Sequence, residues 1–320
     1  MKIAVLALEG VFDTGLSAIL DALTTANELS AMLGWSATPF ELRVLGLRPE
    51  VHTSQGLRVP VRSIDPDWSP DWVAIPAIGY KMPDVLQQAL TRPDIAEAAQ
   101  ALRAWADGGA KIAAACIGTF VLAESGLLNA HEATTTWWLA PLFRRRYPEV
   151  RLNSSRMIVD AGRVVTAGAA LGHMDLALWL IRQSSPELAS LTARYLIVDS
   201  RPAQSTYAIV DHLAHADPLV RRFEAWARAR LAQGFDLDAA AHELATSKRT
   251  LARRIREVLG KTPLSYFQDI RVERAVHLLK TGNDSIERIA MEVGYADGVT
   301  LRTLLRRRLG RGVREIRGRD

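Results

Sequence analysis

Residues 236–317 lay out one arrangement twice, and it leaves few folds open to this part of the chain. Over 238–245 the run Ala239, Ala240, Ala241, Leu244 and Ala245 gives a short apolar helix. Thr246 and Ser247 then supply a turn with an N-cap hydroxyl, and a second helix is expected over 248–259. Its core stripe is Leu251, Ile255, Val258 and Leu259, spaced i, i+4, i+7, i+8. The remaining face carries Lys248, Arg249, Thr250, Arg253, Arg254 and Arg256, which suits a helix whose N-terminal part lies in a DNA major groove while its flanks touch phosphate.

The second copy follows the same plan. Asp284 and Ser285 are placed to cap a helix bearing Ile286, Ile289, Ala290 and Val293, and Gly294 to end it in the left-handed conformation. Asp297 then caps a helix over 299–309. In that helix Leu301, Leu304 and Leu305 point inward, leaving Arg302, Thr303, Arg306, Arg307 and Arg308 outside. Between the copies, Thr262 and Pro263 form a helix start and Gly282 a stop, with Tyr266, Phe267, Ile270, Val272, Ala275, Leu278 and Leu279 on a long apolar face. One rigid helix would then hold two reading helices about 34 Å apart, the repeat of the major groove.

These motifs resemble the DNA-binding domain of the AraC/XylS family. The most specific stretch runs Ile289, Ala290, Met291, Glu292, Val293, Gly294, Tyr295, Ala296, Asp297 and continues through Leu301 to Gly310. Leu301 and Leu305 replace aromatic residues usual there, and Val313 stands where the family has a proline. Carried over by position, the resemblance implies double-stranded DNA as partner. Its contacts would be Ser247, Lys248, Arg249, Thr250, Arg253 and Arg254 in the first copy, and Val299, Thr300, Arg302, Thr303, Arg306 and Arg307 in the second.

Charge agrees with that reading. Residues 235–320 hold 18 Lys and Arg against 12 Asp and Glu, whereas the first 234 hold 22 against 23, within a chain of net charge +5. A basic excess confined to the helix-turn-helix region favours phosphate contact. A solvated arginine-rich surface would give the same balance, and the tandem motif decides between them. At 320 residues, 48% hydrophobic, there is enough chain for two domains with cores of their own. No apolar run approaches 18 residues and no signal peptide is evident, so a cytoplasmic protein without a membrane partner is expected. The single cysteine excludes an internal disulfide and a multi-cysteine zinc site; no metal or cofactor is expected.

The first 198 residues read as an α/β unit. Strands are expected over 2–8, 40–47, 71–76 and 111–116, with helices over 15–33, 85–90 and 95–106 between them. Further strands at 132–136, 151–159 and 163–166 precede a helix at 171–181. Alternation of this kind implies a mainly parallel sheet covered on both faces. From 186 to 233 the pattern is helical, with Leu188, Leu191, Tyr195, Leu196 and Val198 on a packed face and a break at Pro202 and Ser205. A linker over 199–217 therefore precedes a DNA-binding domain over 218–320.

The chemically informative point is the elbow at Ala115, Cys116, Ile117, Gly118 and Thr119, where a strand passes straight into a helix. Such a position lowers a cysteine's pKa and aims it into the crevice at the carboxyl ends of the strands. An inert core cysteine fits the same residues equally well. With the run 123–129, the run Ala133, Thr134, Thr135, Thr136, Trp137 and the stretch 164–168 behind it, the segment resembles the ThiJ/PfpI-like group of the class I glutamine amidotransferase-like superfamily, a flavodoxin-like sandwich. In catalytic relatives the elbow cysteine is the nucleophile and a histidine follows the Ala-Thr-Thr run. Here that position is Thr136, and Ala77, Ile78 and Gly79 replace a Gly-Gly pair. His131 lies five residues early, and His173, on a helix, reads as a surface or packing residue.

Without a base or a close oxyanion amide, no catalytic residue is expected. A crevice for a small-molecule effector remains, lined by Asp13, Gly79, Cys116, Ile117, Thr136 and Trp137. Asp13 serves equally well as a helix N-cap, and Trp137 and Trp138 as core packing. The two halves together resemble the GlxA family of transcriptional regulators. That resemblance implies a homodimer formed through the first domain, an activator working with RNA polymerase, and a small effector. A cysteine-dependent hydrolase or amidase fused to a DNA-binding domain is the alternative.

Overall fold

The computed structural model describes residues 1–35, 39–65, 67–199, 201, 203–204, 217–309 and 312–317. The chain separates into two compact units, Met1–Ser205 and Thr206–Asp320. Most of the stretch expected as linker, 199–217, lies outside the described residues.

In the first unit eleven strands are described: β1 (Lys2–Leu6), β2 (Glu41–Gly46), β3 (Glu50–His52), β4 (Arg58–Pro60), β5 (Arg62–Ser63), β6 (Trp72–Ile75), β7 (Lys111–Ala115), β8 (Glu132–Ala133), β9 (Arg151–Leu152), β10 (Ile158–Asp160) and β11 (Val164–Ala167). Seven of them form one sheet in the order β10-β11-β7-β6-β1-β2-β5. Every pairing in it is parallel except β10 with β11. The helices are α1 (Asp13–Met32), α2 (Pro83–Ala89), α3 (Pro93–Asp107), α4 (Gly118–Glu124), α5 (Ala140–Arg146), α6 (Gly172–Ser184) and α7 (Pro186–Tyr195).

The period-two geometry of a strand divides the core in two. Ala4 and Leu6 of β1, Val73 and Ile75 of β6, and Ile112 and Ala114 of β7 face Leu86, Ala98, Leu102 and Phe120 of α2, α3 and α4. Ile3 and Val5, Trp72 and Ala74, and Ala113 and Ala115 face Ile19, Leu23, Leu176, Leu180 and Leu188 of α1, α6 and α7. The α/β sandwich is as the alternation of patterns predicts. The hairpin β3-β4 and the edge strand β5 escape that reading because strands of two or three residues carry no usable periodicity. The strand expected over 132–136 stops at Ala133, and the one over 151–159 is two short strands. Tyr195, expected on a packed face, is 67% exposed at the end of α7.

The second unit is helical: α8 (Pro218–Arg228), α9 (Leu237–Glu243), α10 (Lys248–Leu259), α11 (Pro263–Thr281), α12 (Ile286–Glu292), α13 (Gly298–Leu309) and α14 (Val313–Ile316). Ser247, Thr262, Ser285 and Asp297 cap as the sequence suggests, and Asp236 is a further cap that it did not mark. Asp236, Ser247, Thr262 and Ser285 each accept a hydrogen bond from an amide in the first turn of the helix they precede. Asp297 Oδ1 takes the Thr300 amide at 2.7 Å. Gly260 and Gly294 have φ of 68° and 81°, the left-handed end that lets the chain turn out of a helix. The N-terminal half of α11 packs through Tyr266, Phe267 and Ile270 with α8, α9 and α10. Its C-terminal half packs through Val272, Ala275 and Leu279 with α12, α13 and Ile316.

Candidate functional site: two exposed arginine faces and a buried cysteine elbow

On α10 the stripe Leu251, Ile255, Val258 and Leu259 is buried, so the other residues are turned outward by helical geometry. Ser247 is used as the cap, its Oγ accepting the Thr250 amide at 3.1 Å and lying 2.9 Å from the Thr250 hydroxyl. Lys248 pairs with Asp238 at 2.8 Å and Arg253 with Glu257 at 2.8 Å. Arg254 reaches the buried carboxylate of Asp217, the cap of α8, and so has a structural task besides any DNA contact. Arg249 and Arg256 have no ion pair among the described residues; with Ala252, Arg253 and Glu257 they line a shallow open depression of about 420 Å³.

The second face is built alike. Leu301 and Leu305 are buried, and Val299, Thr300, Arg302, Thr303, Arg306 and Arg307 are exposed. Arg302 pairs with Glu287 at 2.9 Å and Arg308 with Asp269 at 2.9 Å. Arg306 and Arg307 carry no ion pair among the described residues. Thr300 shares the Asp297 cap, and Thr303 gives its hydroxyl to the Val299 carbonyl at 3.0 Å. Exposed ion pairs contribute little and exchange readily for phosphate, whereas the unpaired guanidinium groups need not break a bond first.

Sequence reasoning missed Arg271, which fixes one half of this unit to the other. Its guanidinium is buried, donates to the Leu231 carbonyl from Nε at 3.0 Å and Nη2 at 2.6 Å, and lies over the rings of Phe267 and Tyr295. Gly294 makes room for it: a Cβ there would stand 2.1 Å from the Leu231 oxygen and 2.3 Å from Arg271 Nη2. The arginine sits between apolar neighbours on α11, and nothing in helical periodicity marks it.

In the first unit the elbow is as sharp as expected. Cys116 has φ of 55°, a left-handed value that a residue with a Cβ adopts only where its surroundings hold it. The Cys116 amide donates to the Ala167 carbonyl at 2.8 Å, and the Cys116 carbonyl accepts the Thr135 hydroxyl at 2.7 Å. Gly118 lets α4 lie against the end of β6, since a Cβ there would be 2.4 Å from the Ile75 oxygen.

The thiol is not activated, which corrects the expectation from its place on the elbow. Cys116 is 3% exposed, and burial pushes its pKa up to about 12 despite the Ile117 amide, the Thr136 hydroxyl and Lys81. At neutral pH it is a thiol, not a thiolate.

The groups that would assist a nucleophile are committed elsewhere. The Gly79 amide donates to the Gly10 carbonyl at 2.7 Å, and a Cβ at Gly79 would collide with Ser54. The Ala77 amide donates to His173 Nε2 at 3.0 Å, and His173 Nδ1 gives its proton to the Ala170 carbonyl at 2.6 Å. His173 is fully buried, so the packing half of the sequence expectation holds and the surface half does not. His131 is exposed, with Nδ1 against its neighbour's carbonyl, Asn129 O, at 2.8 Å.

Polar atoms without partners remain around the elbow. Asp13 Oδ1, Thr119 Oγ1 and Thr136 Oγ1 are buried, with no hydrogen-bond partner in reach among the described residues. Asp13 opens α1 but does not cap it; its Oδ2 accepts Ser54 Oγ at 2.7 Å and the Gln55 amide at 3.2 Å. Burial acts to raise the Asp13 pKa, but hydrogen bonds from Thr53, Ser54 and backbone amides outweigh it and hold the carboxyl below its ordinary value. Trp137 is half-buried, its ring edge-on to Trp138 at 5.4 Å, while Trp138 packs on the core. Ile117 is buried and contributes its amide beside the thiol. Thr119 belongs to the elbow motif but was not expected to line the site, and Lys81 lies in no motif that a single sequence displays.

Residues 1–183 match the DJ-1/PfpI family, and residues 240–319 match a helix-turn-helix domain. The HTH-type transcriptional regulator GbdR of Pseudomonas aeruginosa is 26% identical over 302 residues, covering 92% of this chain and 78% of that protein. The HTH-type transcriptional activator RhaS of Escherichia fergusonii is 37% identical over 107 residues, covering 33% of this chain and 38% of its own length. Among solved structures, an AraC family transcriptional regulator from Pseudomonas putida superposes with a TM-score of 0.51 at 20% identity, over 61% of this chain and 98% of that one. That likeness is one of fold. No helix among the described residues is long and apolar enough to cross a membrane.

Proposed function

The chain belongs to the DJ-1/PfpI family and carries an AraC-type helix-turn-helix region behind that domain, and from this premise we propose that it is a sequence-specific regulator of transcription whose first unit binds a small effector without catalysis. The observation that carries the DNA-binding reading is the pair of exposed helix faces on α10 and α13, on which Arg249 and Arg256, and Arg306 and Arg307, have no carboxylate partner among the described residues. Arg249, Arg253, Arg306 and Arg307 reach base edges or phosphates, and Ser247, Lys248, Thr250, Arg254, Val299, Thr300, Arg302 and Thr303 complete the two surfaces.

The first unit acts as a sensor and dimerises, so that a homodimer presents its helices to two half-sites and acts as an activator through RNA polymerase. A protonated thiol, with the Ala77 and Gly79 amides and both His173 nitrogens already engaged, supports binding over hydrolysis. The unpartnered Asp13, Thr119 and Thr136 oxygens are the groups an effector would satisfy.

Genome-wide footprinting of the full chain, followed by gel shifts on the fragments recovered, tests the proposal. We expect discrete footprints, with Arg249→Ala and Arg306→Ala each weakening binding by about 1–3 kcal/mol where the contact is to a base. Occupancy no better than on random DNA at low salt would refute the regulatory reading. Hydrolysis of an ester or amide that Cys116→Ser abolishes would refute the non-catalytic one.

A further inference from the structure

Gln204 is completely buried, although it falls in the stretch that reads as linker, two residues before the second unit begins. A long polar side chain is rarely enclosed so fully unless its amide is satisfied. Here Oε1 accepts the Ala169 amide at 3.1 Å, and Nε2 faces the Thr135 carbonyl at 2.8 Å, Thr134 Oγ1 at 2.9 Å and the Arg156 carbonyl at 3.2 Å. The backbone is anchored as well. The Gln204 amide donates to the Ser155 carbonyl at 2.9 Å, and Ala203 forms an antiparallel bridge with Arg156. Gly168 leaves the space, since a Cβ there would stand 2.3 Å from Gln204 Nε2.

What this carboxamide holds is the stretch that would wall the proposed crevice. The Thr135 carbonyl belongs to the same peptide unit as the amide of Thr136, whose buried hydroxyl lies beside the Cys116 thiol. The Thr135 hydroxyl in turn donates to the Cys116 carbonyl. One side chain therefore ties the crevice to the chain that leads out of the first unit.

We propose that Gln204 is a positioning residue that couples the crevice to this outgoing segment. An occupant that displaces Thr136 turns the Thr135–Thr136 peptide and loosens the Gln204 anchor, and loss of the anchor loosens the wall in return. A carboxamide turned away from these acceptors leaves buried groups without partners, so the linkage favours two discrete arrangements over gradual deformation. The inference rests on the crevice reading above and supplies the route by which an effector is felt beyond its own site.

Because the chain has one cysteine, the rate at which Cys116 reacts with Ellman's reagent reports on the wall in the full-length protein. Gln204→Met, close in shape but without hydrogen bonds, is expected to raise that rate about tenfold or more, with little urea dependence, the mark of local opening. Gln204→Asn, too short for the same acceptors, is expected to do likewise and decides the matter if the methionine variant does not fold. Arg201→Ala removes the neighbouring pair with Asp175 without touching the wall and leaves the rate unchanged.

In the reverse direction, Thr136→Leu fills the crevice and is expected to speed hydrogen exchange at the Gln204 and Ala169 amides about tenfold, while the isosteric Thr136→Val does not. Thiol rates within about twofold of the parent in the Gln204 variants, or unchanged exchange in Thr136→Leu, overturn the coupling. Neither readout uses DNA or an effector, so the regulatory reading stands or falls on its own test.

Discussion

His173 accepts a hydrogen bond at one ring nitrogen and donates at the other, so only the neutral imidazole fits: a second ring proton would face the N–H of Ala77. The ring is enclosed and packed so closely on α1 that a Cβ at Gly15 would lie 2.6 Å from Nε2. Burial lowers its pKa from 6.5 to about 4. With the folded value below the unfolded one, the contribution to stability is complete above pH 6.5 and is lost as pH falls toward 4; the full span is worth about 3 kcal/mol. Urea unfolding followed by tryptophan fluorescence, which reports mainly the first unit, is expected to show that loss between pH 6.5 and 4, and His173→Gln to flatten it. A parent chain equally stable across that window would contradict the assignment. The sequence placed His173 on a helix, but its partners are 96 and 3 residues away and the longer of those distances is invisible without the fold.

Helix α11 was legible from end to end because its signals are local. Thr262 accepts the Ser265 amide at 3.2 Å, Pro263 occupies the first turn and the chain turns off at Gly282. That it serves two cores in succession follows from the positions of Ile270 and Val272, and only the structure shows Arg271 between them joined to Leu231 and Tyr295. Replacing Arg271 with Met leaves the Leu231 carbonyl without its donor and removes both ring contacts. A stability loss of about 1–3 kcal/mol is expected, with weaker DNA binding although no DNA-facing residue changes. Differential scanning calorimetry and a gel shift check the two parts; full retention of both would show that the rivet is dispensable. The elbow at Cys116 was equally legible as geometry, since a glycine two residues on is a local mark. The thiol's acidity was not, because burial depends on what α4 and the loop at Thr135 and Thr136 pack against.

Across the whole molecule the basic excess lies in the helix-turn-helix region, 18 Lys and Arg against 12 Asp and Glu, while the preceding 234 residues are near balance. DNA affinity is therefore expected to fall linearly in log–log form with salt, at about 0.9 per phosphate neutralised. Arg249→Ala or Arg307→Ala should reduce the slope by about one if the contact is to phosphate. Fluorescence anisotropy from 50 to about 200 mM salt measures it, and a slope near zero would remove the electrostatic half of the functional reading. The sequence by itself determined the α/β unit, the paired helix-turn-helix units, their caps and the outward arginines, because each rests on neighbours within a turn or a strand. Tertiary structure alone decided which arginines are already taken, that the cysteine stays protonated, and that Gln204 is buried in the first unit. Those outcomes depend on groups brought together from dozens of residues apart, where desolvation and hydrogen bonding, not periodicity, set the result.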